Sequence, residues 1–286
     1  MSHPSPLSTY ALDSVVILQI EPTHILAGFP GDVRPQYSSY LDGELWLNHT
    51  ASMDMKELQT RLRDILRRVF FRELLISPKS QTMLVLEDPF LPLPVKKLLT
   101  HVLVVEFHVP SVVFQPLSVC TLIAAGTAHG LVIDLGWDEA RIMPVFDFRE
   151  LTPYARCTIR GTKMLYERLS ARMSENGTTL SCTKLEKLLL SEDDKSNTIQ
   201  DYRQIFLEGD KFDDDNDMCI PDLVNKVISD LDINLRGAVR SSVVVMGRCV
   251  SFWPELTDAI AQRVGGRLRT SSGAWTGASI YLSSNS

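Results

Sequence analysis

In the segment GLVIDLGWDEARIMPVF, residues 130–146, an apolar run meets Asp134 and then Gly136 before a second apolar run begins. A carboxylate close to a glycine suits two different jobs. Where the glycine lets the backbone approach closely and present its N–H groups, such a loop can hold a magnesium phosphate; the same residues also turn an ordinary hairpin. Spacing alone leaves both open, because Leu131 to Ile133 and Arg141 to Phe146 read as paired strands in either case, with Asp134, Leu135 and Gly136 as the turn. Other charged stretches are less specific. GDKFDDDND at 209–217 has the look of a calcium loop, but the sixth position from Asp213 is Met218, where that loop needs glycine. A mobile, solvated acidic loop over 191–217 is expected instead. There is no HExxH, GxSxG or CxxC pattern, so the chain carries no metalloprotease, serine hydrolase or zinc signature.

The elements that must position Asp134 follow from apolar periodicity. SVVILQ at 14–19 and ILAGF at 25–29 read as strands around a turn, with GDVRP at 31–35 as a second turn. From Met53 to Leu74, Met55, Leu58, Leu62, Ile65, Leu66, Val69 and Phe70 share one helical face, while Arg61, Arg63, Arg67 and Arg68 project away from it and are expected to be solvated. MLVLE at 83–87, VKKLLTHVLVVEF at 95–107 and PSVVF at 110–114 form a strand, a helix and a strand, which predicts a parallel pair with a crossover helix. LSVCTLIAAG is a helix closed by Gly126. TKMLYERLSARM at 162–173, a helix from Pro221 and a helix from Pro254 flank the strand SVVVMG at 242–247, and GAWTGASIYLSS closes the chain.

With 286 residues, 44% of them hydrophobic, the chain is long enough for two cored domains, and its formal charge of -6 gives no electrostatic footprint for nucleic acid or an anionic membrane. The longest apolar region, HVLVVEFHVPSVVF, is interrupted by Glu106, His108 and Pro110, so no membrane span is expected. MSHPSPLSTY lacks a basic region followed by an apolar one, so a secretory signal is not expected either. Cys120, Cys157, Cys182, Cys219 and Cys249 are scattered, which points to reduced thiols in an intracellular protein.

The segments AGFPGDVRP, LVLEDPFLP, FHVPSVVF, GLVIDLG with PVF, ISDLDINLR with VVMG, and GAWTGASI resemble, in the right order, the actin fold. The resemblance implies an α/β, actin-like (ribonuclease-H-like) two-domain fold. It places an outer domain at 1–117, an inner domain at 118–272 with an acidic loop at 174–220, and a C-terminal helix at 273–286 returning to the outer domain, with crossings near Leu117 and Ser272. YSSYLDGELWLNHTAS is too short to build the family's inserted subdomain in full, so reduced pointed-face subdomains are expected, the first around 36–52.

The same resemblance assigns the site. Asp134 and Gly136 match the second phosphate hairpin and Gly247 the adenosine turn, whereas Trp137 and Asp138 stand where that hairpin continues with aspartate and glycine. Arg141 and Leu117 fall where the family keeps a histidine and a glutamine to orient the attacking water, with Gln115 two residues from the latter. Neither replacement can take the water's proton. Gln19, Glu21, Pro22 and Leu26 replace the aspartate, glycine, serine and lysine of the first phosphate loop, and Arg248 follows Gly247. The nucleotide-binding residues retained are therefore Asp134, Gly136 and Gly247, with no catalytic residue and no metal ligand. No cofactor is required, and ATP or ADP is the ligand these three would take.

Within the actin-related proteins, the short length, LEDPF and PVFDFREL are most similar to the subunit at the pointed end of dynactin. That implies a non-catalytic cap in the cytoplasm and cytoskeleton. Its partners would be dynactin's actin-like filament subunit and other pointed-end subunits, with dynein reached indirectly, no nucleic acid and no membrane insertion. An active actin-like or sugar-kinase-like ATPase and a subunit of a chromatin remodeller are the alternatives on the same fold. The first needs an intact phosphate loop, which QIEPTHIL is not; the second is usually accompanied by basic insertions, and the insertion here is acidic.

Overall fold

The six residues VVILQI are all buried, and their neighbours explain why. Strand β1 (Val15–Ile20) pairs antiparallel with β2 (His24–Gly28), which pairs antiparallel with β3 (Tyr37–Tyr40). On its other side β1 runs parallel to β4 (Thr82–Glu87), and β4 runs parallel to β5 (Ser111–Pro116). The sheet order is β3-β2-β1-β4-β5, with β1 central and apolar except for the buried Gln19. The computed structural model describes residues 14–41, 44–46, 54–175, 195–209, 217–247, 250 and 254–284. Cys182, Cys249, Arg248 and the SEDD cluster at 191–194 lie outside the described residues, as do 42–43 and 47–53 of the segment expected to be reduced.

Helix α1 (Met55–Arg68) begins where the Asp54 carboxylate accepts from the N–H of Lys56 at 2.9 Å and of Glu57 at 3.3 Å. Leu58, Leu62 and Leu66 bury its apolar stripe. Replacing Asp54 with alanine leaves those two donors without a side-chain acceptor. The expected cost is about 1 kcal/mol, read as a lowered midpoint in urea unfolding with an unchanged slope.

The helix tightens into no loop at its end but widens into a π turn, Val69–Glu73. Helix α2 (Leu93–His101) repeats this design with the π turn Val102–Glu106. Glu106, the last residue of that second π turn, ties it to the body of α1, accepting from Gln59 Nε2 at 2.6 Å, from Arg63 Nη2 at 3.0 Å and from Arg63 Nε. The Arg63 hydrogen bond is the main cause that draws the Glu106 carboxyl down to about 2. Because a free glutamate titrates near 4.3 (about), the pair's stabilisation is complete above that pH and is lost as pH falls towards 2. Glu106→Gln is expected to remove this part of the acid slope, measured as urea-unfolding stability against pH.

Contacts divide the chain into two compact units, Met1–Gly126 with Ser272–Ser286, and Thr127–Ser271. Helix α3 (Leu117–Ala124), closed by Ala125 and by Gly126 at φ +67°, belongs to the first unit rather than the second as the sequence implied. The reason is its packing partner, the C-terminal helix at 274–284, which it meets at backbone distance: a Cβ on Gly277 would lie 1.8 Å from the carbonyl oxygen of Cys120. Trp275 of that helix is buried and its Nε1 donates to the Ile17 carbonyl at 3.3 Å.

The second unit holds its own mixed sheet. Strands β6 (Gly130–Leu135) and β7 (Ala140–Phe146) form the expected hairpin; β8 (Arg149–Glu150) and β9 (Arg156–Thr158) both pair with β7. Helices α4 (Thr162–Glu175), α5 (Lys195–Phe206), α6 (Ile220–Asp230) and α7 (Ile233–Arg240) precede β10 (Val243–Met246), which runs parallel to β6. Helices α8 (Pro254–Val264) and α9 (Ala274–Ser284) end the chain, the latter returning to the first unit. The expectation of a loop over 191–217 is corrected by α5. Tyr202, Ile205 and Phe206, at i, i+3 and i+4, are buried in the core with Leu207. Asp217 is not free acid in solvent either, since it accepts from Arg160 Nε at 2.8 Å; residues 210–216 lie outside the described residues.

Among the described residues no helix is long and apolar enough to cross a membrane.

Candidate functional site

Asp134 does not sit at the hairpin tip. Strand β6 continues through Leu135, which is buried in the core, so the turn is carried by residues 136–139 and Asp134 lies one residue inside, directly across from Arg141. Directly opposed residues share a face, and the alternation that sends Leu131, Ile133 and Leu135 into the core puts Asp134 and Arg141 on the other side.

That register makes an ion cluster. The Arg141 guanidinium donates from Nε to Glu139 at 2.5 Å and from Nη1 to Asp134 at 3.4 Å, and its Nη2 lies 3.9 Å from an Asp138 oxygen. Arg141 is 7% exposed and Glu139 1%. Three carboxylates thus face one guanidinium in a largely buried setting. The guanidinium makes the cluster viable, because a buried carboxylate without a counter-charge is costly. The cluster keeps a formal excess of negative charge, which opposes any incoming phosphate.

The glycines are explained by backbone approach. A Cβ on Gly136 would meet the Glu139 carbonyl at 2.8 Å, and Gly247, at φ +122°, brings its Cα so close that a Cβ would meet the Leu135 carbonyl at 2.4 Å. Because Met246 of β10 is in register with Asp134, the three residues picked out from the sequence, Asp134, Gly136 and Gly247, do converge at one end of this sheet. The turn is then held by the first turn of α4: Thr162 N donates to Gly136 O at 2.9 Å and Lys163 N to Trp137 O at 2.7 Å. Those helix N–H groups are spent on the protein's own carbonyls.

In the first unit, the segment standing for the other phosphate loop is a tight turn in which Glu21 N donates to His24 O at 2.8 Å. Gln19 donates from Nε2 to Glu21 at 2.5 Å, and its Oε1 is buried with no hydrogen-bond partner among the described residues. Pro22 has no N–H, and Leu26 carries no charge. An orphan acceptor, a carboxylate and a proline do not suit a phosphate, which needs donors and positive charge. Neither loop fits a magnesium nucleotide. Among the described residues, no group of three or more His, Cys, Asp or Glu is placed to hold a metal. Leu117 is buried as the first residue of α3, and Gln115 lies on β5 opposite Leu86.

Sequence reasoning missed Asp138 and Glu139 as partners of Arg141.

Two mixed α/β units, each built on a five-stranded sheet, with a glycine-bearing hairpin beside a parallel strand in the second, are consistent with an actin-like fold. The family model for actin matches residues 59–206, just over half of the chain, and the chain belongs to the actin family. It is similar to Actin-like protein ARP10 of Saccharomyces cerevisiae, with 25% identity over 157 residues, 55% of this chain and 52% of that protein. The chain therefore spans about half the length of that curated relative.

Proposed function

We propose that this chain is a non-catalytic actin-related subunit that caps the pointed end of dynactin's actin-like filament and docks other pointed-end subunits, thereby supporting dynein-driven transport along microtubules. It works in the cytoplasm and cytoskeleton and needs no bound ATP or ADP. The observation that carries the non-catalytic reading is the Arg141 guanidinium lodged among Asp134, Asp138 and Glu139. The carboxylate best placed to meet a cation–phosphate pair already faces a side chain of the same hairpin, Arg141. Similarity to an actin-like protein and the LEDPF and PVFDFREL segments support placing it in dynactin.

The capping role rests on asymmetry. A head-to-tail filament grows only where both faces of a subunit can pair, and a subunit with one reduced face can join only once, at an end. The short 36–52 segment is the source of that reduction. The test is to mix the purified chain with the actin-like filament subunit and image the products. Single occupancy at pointed ends is expected; incorporation along filament sides, or long filaments of this chain alone, would rule the cap out.

A further inference from the structure

The C-terminal ends of α1 and α2 carry an unusual outer surface. Along residues 67–75, Val69, Phe70 and Leu74 are buried, while Arg67, Arg68, Phe71, Arg72, Glu73 and Leu75 are exposed at i, i+1, i+4, i+5, i+6 and i+8, three arginines to one glutamate. Phe71 is 50% exposed and Leu75 78%. The Phe71 ring lies 6.4 Å from that of Phe107, which joins this stripe to the exposed Val104 and Val105 of the neighbouring π turn. Leu75 is also held at φ +52°, in the position closing a helix where glycine is favoured, while Ile76 N reaches back to Phe70 O at 2.8 Å. A large apolar residue is thus kept where both solvent and backbone disfavour it.

The rim is basic on an acidic protein. Arg63 is consumed by Glu106, but Arg67, Arg68 and Arg72 have no hydrogen-bond or ion-pair partner among the described residues, and the chain as a whole carries a formal charge of -6. We propose that this patch is a docking site for an acidic amphipathic helix of a partner protein, whose large apolar side chains cover Phe71, Leu75, Val104 and Val105 while its carboxylates meet the three arginines. Charge complementarity selects this occupant: apolar anchors supply affinity and the arginine fork fixes carboxylates at the edge. The inference is independent of the capping reading, since either can fail while the other holds.

The test uses the whole chain and a labelled helical peptide of about 18 residues, with leucines at i, i+3, i+4 and i+7 and glutamates flanking them. A scrambled peptide and one with lysines for glutamates serve as controls. Saturable binding by fluorescence anisotropy is expected for the acidic peptide alone, weakening with salt. The pairs Arg67→Glu with Arg72→Glu, and Phe71→Ser with Leu75→Ser, should each weaken it at least about tenfold without changing the melting temperature by more than about 2 °C. Leu75→Gly separates binding from stability, because it should raise the melting temperature while weakening the peptide. Equal binding of the control peptides, or variants that bind as tightly as the wild type, would overturn the proposal. So would self-association abolished by the same variants in sedimentation, or loss only of binding to phosphatidylserine vesicles.

Discussion

Arg141→Leu is expected to be the most damaging change in the second unit that leaves the apolar core intact. Removing the guanidinium takes from Glu139, Asp134 and Asp138 the cation that they face in a largely buried site. Breaking a buried pair in this way costs about 3–5 kcal/mol, which for a protein of this size lowers the melting temperature by on the order of 10 °C. Thermal unfolding of wild type and variant measures the loss; an unchanged melting temperature would contradict it.

Gly277→Ala should disrupt the first unit. The added Cβ would fall 1.8 Å from Cys120 O and 3.2 Å from Ala124 N, both backbone atoms that move only if α3 or α9 moves. Overpacking typically costs about 1–3 kcal/mol, and a clash with backbone belongs at or above the upper end. Gly237→Ala provides the opposite sign. Gly237 lies in α7, exposed, and a Cβ there meets nothing within 4 Å. Removing glycine from an exposed helix interior should stabilise by about 0.5–1 kcal/mol. Urea denaturation of the two variants should therefore shift in opposite directions.

Much of this was legible in the residues. VVILQ, MLVLE and SVVVM are strongly apolar runs of strand length, and each became a strand running parallel to its neighbour; β1 and β4 lie inside their sheet and β10 at the edge of its own. The stripe from Leu58 to Phe70 forecast α1 and its buried face. What could not be read was set by partners distant in sequence or by local geometry without a compositional mark. The π turns at 69–73 and 102–106 continue the same apolar periodicity as the helices they end. β3 is a polar-aromatic YSSY whose strand character comes from β2. Helix α5 was hidden because Tyr202, Ile205 and Phe206 stand between two acidic clusters that dilute any window around them. Asp134 was placed at the tip because Gly136 marks a turn, yet the burial of Leu135 extends β6 beyond it.

The Arg141 cluster shows the same limit at the site. Asp138, Glu139 and Arg141 have the composition of a solvated turn, and only the fold reveals that they are buried against one another.

The central claim is that this acidic hairpin, with Arg141 lodged among its carboxylates, does not take nucleotide. Thermal unfolding of the intact wild-type chain with and without about 1 mM magnesium ATP tests it most directly, because a ligand with a Kd of about 10 μM would add about 2.7 kcal/mol at that excess. No shift in melting temperature is expected with ATP or with ADP. A reproducible upward shift of several degrees that disappears in Asp134→Ala would contradict it.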